Sequence, residues 1–162
     1  MRIGDWEIEV QAPNGGVYSS MESLNTRVFN TGQVMLGWCT LYENTKDQKY
    51  LDAAKRAGDY LVSIQESDGS WKKDTYCGAR TYHARTDWGL LRLASLTNEH
   101  KFSEAAVKNL AWVLEQQTAN GWFKNCGFNQ DDPITHIIAY TLRGLLECSD
   151  MGSAKTKALN ML

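Results

Sequence analysis

A glutamine followed four residues later by glycine, with Asn or Asp just before that glycine, occurs three times in this chain: Gln11 with Asn14 and Gly15, Gln65 with Asp68 and Gly69, Gln117 with Asn120 and Gly121. The glycines are spaced by 54 and then 52 residues, and an aromatic, Tyr18, Trp71 or Trp122, follows each within three residues. Self-similarity at such a period marks a repeat architecture, in which each unit buries its apolar face only against its neighbours.

Between the glycine turns each full period holds two helical patterns. Residues 28 to 43 and 82 to 97 read as first helices, and 51 to 65 and 103 to 117 as second helices. Small or apolar residues recur at helical spacing in the second helices, at Leu51, Ala54, Gly58, Leu61 and Ile64, then at Ala106, Leu110, Val113 and Leu114. The links 45 to 50 and 97 to 102 also match, and their shortness makes neighbouring helices antiparallel. The glycine after each second helix suits a left-handed closing residue. A third first helix is expected just after Pro133. Residues 1 to 10 read as a short extended segment around Trp6 to Val10. Residues 11 to 15 close a hairpin whose helices are missing, and 153 to 162 open a second helix that stops before its glutamine. One domain over 1–162 is therefore expected, with repeats ending near 15, 69 and 121, as part of a longer protein or self-associating through open repeat ends.

Charge and cysteine content narrow the function classes. A formal net charge of −2, with Lys and Arg spread along the chain, is not the footprint of a nucleic-acid binder. No apolar run is long enough to span a bilayer, so a soluble, cytoplasmic protein is expected with no membrane partner. Cys39, Cys77, Cys126 and Cys148 form no Cys-x-x-Cys pair, and four free thiols is the simpler reading.

A helix closing in Gln-x-x-x-Gly-x-Trp, best seen from Gln65 through Gly69 to Trp71, resembles the repeat of squalene and other class II terpene cyclases and of protein prenyltransferase β-subunits. The copy at Gln117 has its Trp one place early, and the copy at Gln11 has Tyr18 instead. The resemblance implies an all-α fold of consecutive antiparallel helical hairpins forming an α/α toroid or an arc of one, with inner and outer helices around a cavity. It also implies that the glutamine and tryptophan tie neighbouring repeats together. Similar toroids serve sugar epimerases, glycoside hydrolases and polysaccharide lyases, so the fold alone selects no reaction.

In toroids of this kind the loops entering the inner helices ring the mouth of the cavity. The residues to examine are thus Asn30, Arg80, His83, Arg85, Asp87 and Trp88, and Asp132 and His136. A shift of 53 places His136 on His83 and His83 on Asn30, while the hairpin alignment by 52 gives Thr31 in place of Asn30. His83 and Asp87 share a helical face, and His136, Tyr140, Arg143 and Glu147 form a polar stripe. His83, Asp87, His136 and Tyr140 are the expected acid-base groups, and Asn30, Arg80, Arg85, Trp88, Asp132 and Arg143 the expected binding groups. The competing reading of each is a capping, solvent-facing or repeat-tying residue. Trp38, Trp88 and Trp122 could stack on a sugar ring, although core packing is the commoner fate.

Two motifs of the resembling families are incomplete here. The cyclase Asp-x-Asp-Asp is met only by Asn129-Gln130-Asp131-Asp132, and the prenyltransferase zinc pair only by Asp74 and Cys77, one residue too far apart. No metal or other cofactor is expected. The expected function is binding of, or action on, a small saccharide in carbohydrate or polysaccharide metabolism. The alternatives are a non-catalytic helical-repeat module that binds a protein, and a prenyltransferase- or terpene cyclase-like enzyme. An aminolevulinate dehydratase activity, which uses a TIM barrel with Schiff-base lysines, has no support in this pattern.

Overall fold

Helical spacing of apolar residues on both helices of each hairpin closes a core between two layers. The computed structural model describes residues 3–128 and 134–151. Along these run α1 (Ile3–Glu9), α2 (Val28–Thr45), α3 (Gln48–Ser63), α4 (Ala84–Thr97), α5 (His100–Glu115) and α6 (Thr135–Asp150), with a 3-10 turn, Thr81–His83, leading into α4. Helices α2, α4 and α6 pack side by side as one layer, while α3 covers α2 and α5 covers α4. Outer helices touch each other far less than inner ones do, which is the layering of an α/α toroid. Among the described residues extended pairing is limited to isolated bridges, Tyr18 with Thr26 and Gln117 with Phe123.

Both hairpin links are built alike. Lys46 (φ 58°) and Asn98 (φ 57°) take the left-handed conformation, and their N–H groups donate to Tyr42 O and Ala94 O. The second helices begin three residues earlier than the sequence pattern indicates, because the link is complete once Asp47 accepts from Lys49 N at the start of α3. Between the layers lie Trp38, Trp71, Phe102, Met35, Leu61, Leu90 and Leu93, all fully buried. The four cysteines are free thiols, and three of them, Cys39, Cys126 and Cys148, are buried.

The glutamine motifs form the joints between repeats. Gln65 Nε2 donates to Gly69 O (3.0 Å), closing its own turn, and to Ala105 O (2.8 Å) on the next outer helix. Gln11 does the same with Gly15 O (2.8 Å) and Ala53 O (3.1 Å). Gly15 and Gly69 have φ of +90° and +87°, and a Cβ on either would stand 2.3 Å from Arg56 O or 2.4 Å from Lys108 O. Glycine is thus required there twice, for the left-handed backbone and for the approach of the next outer helix. Gln117 closes its turn on Gly121 O (3.4 Å), and the chain that follows α6 lies outside the described residues.

The extended segment expected over residues 1 to 10 is instead the helix α1. Alternation of Trp6, Ile8 and Val10 suggested a strand, but tertiary contacts override so short a pattern. Glu9 ends α1 two residues before Gln11, as Ser63 and Glu115 end α3 and α5 two residues before Gln65 and Gln117. The helix docks through Trp38 Nε1, which donates to Gly4 O (3.2 Å), and through Tyr50 OH, which donates to Asp5 Oδ1 (2.8 Å). Lys49 also pairs with Asp5 at 2.9 Å. Tyr50→Phe is expected to cost about 1 kcal/mol, read as a lower urea midpoint with unchanged slope.

Candidate functional site

Because hairpins alternate direction, α2, α4 and α6 all start at the same end of the inner layer. Each long connection reaches back over the preceding inner helix at that end. Asp74 (φ 54°) offers its carbonyl to Val28 N (2.9 Å) at the start of α2, and Asn125 (φ 56°) offers its own to Thr81 N (3.1 Å) ahead of α4. These two bonds carry Tyr76 and Phe128 over the helix starts.

They roof a cavity of about 260 Å³. Its floor is Phe29 and Asn30 of α2, Tyr82 of the 3-10 turn, and His136, Ile137 and Tyr140 of α6. The rings pack edge to face or tilted: Phe29 lies 5.5 Å from Tyr82 and 5.1 Å from Tyr140, Phe128 lies 6.0 Å from Tyr82, and His136 lies 5.8 Å from Tyr140. Polar atoms sit on this aromatic frame. Tyr76 OH donates to Asn30 Oδ1 (3.0 Å), orienting the amide. The Tyr82 hydroxyl is buried with no hydrogen-bond partner among the described residues. Burial, with Cys77 beside it, holds that hydroxyl in its protonated, donating form well above the usual tyrosine range.

Of the residues singled out from sequence, Asn30, His136 and Tyr140 line the cavity. His83 and Asp87 do not: both are buried in the core, and among the described residues neither imidazole nitrogen and neither carboxylate oxygen has a hydrogen-bond partner. Burial, assisted by the Arg80 charge, pushes the His83 pKa down to about 3, and burial raises that of Asp87 well above the carboxylate range. His83 is therefore neutral near pH 7, and burial biases Asp87 toward its protonated form. Arg80 is spent on backbone, donating to Gly127 O (2.7 Å) and Ala79 O (2.9 Å), so it fixes the roof loop. Asp132 lies outside the described residues, as do Asp131 and Pro133.

Arg85, Trp88 and Arg143 gather beside the cavity. Arg85 Nε donates to Gln33 Oε1 (2.6 Å), and its guanidinium lies over Trp88 (5.6 Å) and over Tyr140 (5.3 Å). Arg143 lies over the same Trp88 at 5.9 Å and donates to Glu147 Oε1 at 2.5 Å. Trp38 belongs to the core and Trp122 is exposed on its turn. Asp74 accepts from Tyr60 OH (2.9 Å), and among the described residues no three His, Cys, Asp or Glu side chains come together as a metal site would need.

Five wall residues were not singled out by sequence: the aliphatic Ile137 and the aromatics Phe29, Tyr76, Tyr82 and Phe128. The signal of the aromatics was present in the two long connections and at the inner-helix starts, without a polar group to mark them.

Comparison with known proteins agrees with this architecture. A family model described as β-L-arabinofuranosidase, GH127 catalytic domain, matches residues 8–158. A squalene–hopene cyclase of Zymomonas mobilis is 28% identical over 185 aligned residues that take in 99% of this chain. The chain spans 28% of that relative's length.

Proposed function

Since the chain belongs to the β-L-arabinofuranosidase GH127 catalytic-domain family, we propose that the cavity at the inner-helix starts receives a saccharide, with an arabinofuranoside as the first substrate class to test. The observation that carries this is the wall itself: aromatic faces for the C–H surface of a sugar, interleaved with the amide of Asn30, the imidazole of His136 and the hydroxyls of Tyr76 and Tyr140. Asn30 and Tyr140 bind sugar hydroxyls in this reading, and His136 is the proton-transfer group, since an imidazole can accept or donate at the glycosidic oxygen. Glycoside hydrolysis ordinarily employs a pair of carboxyl groups. None lines the cavity among the described residues, so the proposal is one of sugar recognition first. The glutamine joints are read as the cyclase-type repeat, on the strength of their two-sided bonding and the cyclase relative.

The test is titration of the protein with methyl β-L-arabinofuranoside and L-arabinose, followed by ligand-observed NMR. Binding is expected, with Tyr140→Ala and His136→Ala each weakening it roughly tenfold, and Tyr50→Phe leaving it unchanged. A second reading is favoured by the apolar part of the wall, Phe29, Tyr82, Phe128 and Ile137, and by the cyclase relative: an isoprenoid hydrocarbon occupies the cavity. Saturable binding of a short isoprenoid with no sugar binding would replace the first reading by the second.

A further inference from the structure

On α4, Gly89 and Thr86 face α2, Ala84 faces α6, and Leu90 and Leu93 are buried in the core. What remains is a stripe at helical spacing, Arg85, Trp88 and Arg92, on the side turned away from α5. It meets Tyr140, Arg143 and Glu147 of α6 on one flank and Gln33 and Glu43 of α2 on the other.

Among the described residues the charges on this face do not balance. Arg92 is paired with Glu43, and Arg143 with Glu147. Arg85 is paired only with the neutral amide of Gln33, through Nε, and among the described residues its two terminal nitrogens have no partner. The nearest acid on its own helix, Asp87, is fully buried in the core. Arg85 is therefore a half-buried cation, held between two aromatic rings, whose fork meets no carboxylate among the described residues. A partly desolvated guanidinium without a counter-charge is costly, and a planar fork matches a carboxylate in two-pronged fashion. The Tyr140 ring beneath it is also a wall of the cavity.

We propose that the saccharide bound here carries a carboxylate, as a uronate does, and that Arg85 receives it, with Arg143, paired to Glu147, on the far side of Trp88. The proposal rests on the saccharide reading above and sets an acidic sugar, in place of the neutral arabinofuranoside, as the preferred class. Gln33 is then a positioning residue, holding Nε so that the fork points along the inner face. Trp88 keeps the two guanidiniums apart and supplies an apolar edge against which the sugar ring rests.

The experiment is titration with D-galacturonate, D-galactose and L-arabinose at low ionic strength. Galacturonate is expected to bind at least roughly tenfold more tightly than galactose, with the advantage shrinking as salt is raised. Arg85→Gln is expected to abolish the difference while leaving galactose binding within about twofold. Arg85→Lys keeps the charge without the fork and is expected to retain part of it. Helical circular dichroism of each variant shows that it is folded. If the neutral sugars bind and galacturonate binds no better, the carboxylate inference falls while the saccharide reading stands. If Arg85→Gln weakens all three sugars equally, Arg85 only supports Tyr140 and the inference is again overturned. If none of the sugars binds, the saccharide reading fails and this inference with it.

Discussion

Replacing Gly69 by alanine is expected to destabilise the protein by roughly 3–5 kcal/mol, whereas the same change at Gly121 costs about 1 kcal/mol. Both positions have positive φ, +87° and +82°, so the left-handed penalty for a Cβ is common to them. The difference lies in what the Cβ meets. At Gly69 it would stand 2.4 Å from Lys108 O and 2.6 Å from Lys108 C, which are backbone atoms of α5 and cannot swing aside; at Gly121 nothing among the described residues lies within 4 Å. Relief at Gly69 requires α5 to retreat. That retreat stretches the bonds from Gln65 Nε2 to Ala105 O and from Asn109 Nδ2 to Gly69 O, both 2.8–2.9 Å. Urea denaturation of the two variants is the measurement. Equal losses at the two sites would show that backbone strain alone, and not the approach of α5, sets the need for glycine.

The second large effect is a pair of opposed pH dependences in the core. His83 has a folded-state pKa lowered to about 3 by burial and by Arg80, against an ordinary value near 6.5. Its stabilising contribution is complete above the unfolded value and is lost as pH falls from 6.5 toward 3, by roughly 3–5 kcal/mol over the full window. Asp87 behaves in the reverse sense. Burial raises its pKa, so the folded form is favoured in acid and loses ground as pH rises past the unfolded carboxylate value near 4. Between pH 4 and 6.5 the two slopes oppose each other, and the parent protein shows a shallow dependence from this pair. Asp87→Asn is expected to gain stability steeply with rising pH over that range, because only His83 remains. His83→Gln is expected to lose stability over the same range, because only Asp87 remains. Arg80 beside His83, and the Cys148 thiol near Asp87, itself raised by burial, are present in both variants and shift neither difference. Parallel profiles for Asp87→Asn and the parent protein would overturn this account of Asp87.

Much of the fold was legible because the repeat recurs with its glycine punctuation intact. The four helices of the two complete hairpins, their antiparallel links and the left-handed glycines follow from spacing and turn chemistry alone. Helix α1 was not legible, since Trp6, Ile8 and Val10 alternate with a period of two over a segment too short to reveal a helical face; only the contacts to Trp38 and Tyr50 select the helix. The place of a cavity was legible at the inner-helix starts, but its lining was not. Looking at inner-helix starts led to Asn30, His136 and Tyr140, all of which line the cavity. His83, at the equivalent sequence position, does not, because a 3-10 turn precedes α4 and changes the angular phase with which the chain enters the helix. Each residue turns an α-helix by about 100°, so one position of phase is enough to carry a side chain from the mouth to the core. The aromatic walls were illegible for another reason: Tyr76 and Phe128 acquire their positions from long-range bonds to the starts of other helices, which no local pattern encodes.

The joint between repeats has a consequence for how freely this architecture tolerates change. Gln11 and Gln65 address carbonyl oxygens on the next outer helix, Ala53 O and Ala105 O, and the adjacent glycines rest against Arg56 O and Lys108 O. The receiving helix adds one side chain at each joint: Arg56 Nε and Nη2 donate to Gln11 Oε1 at 3.0 and 2.6 Å, and Asn109 Nδ2 donates to Gly69 O at 2.9 Å. The main-chain half of the socket accepts any sequence on its neighbour, while the arginine at one joint and the asparagine at the other tell the hairpins apart. Hairpins joined in this way are matched parts, and exchanging one for another costs these side-chain contacts.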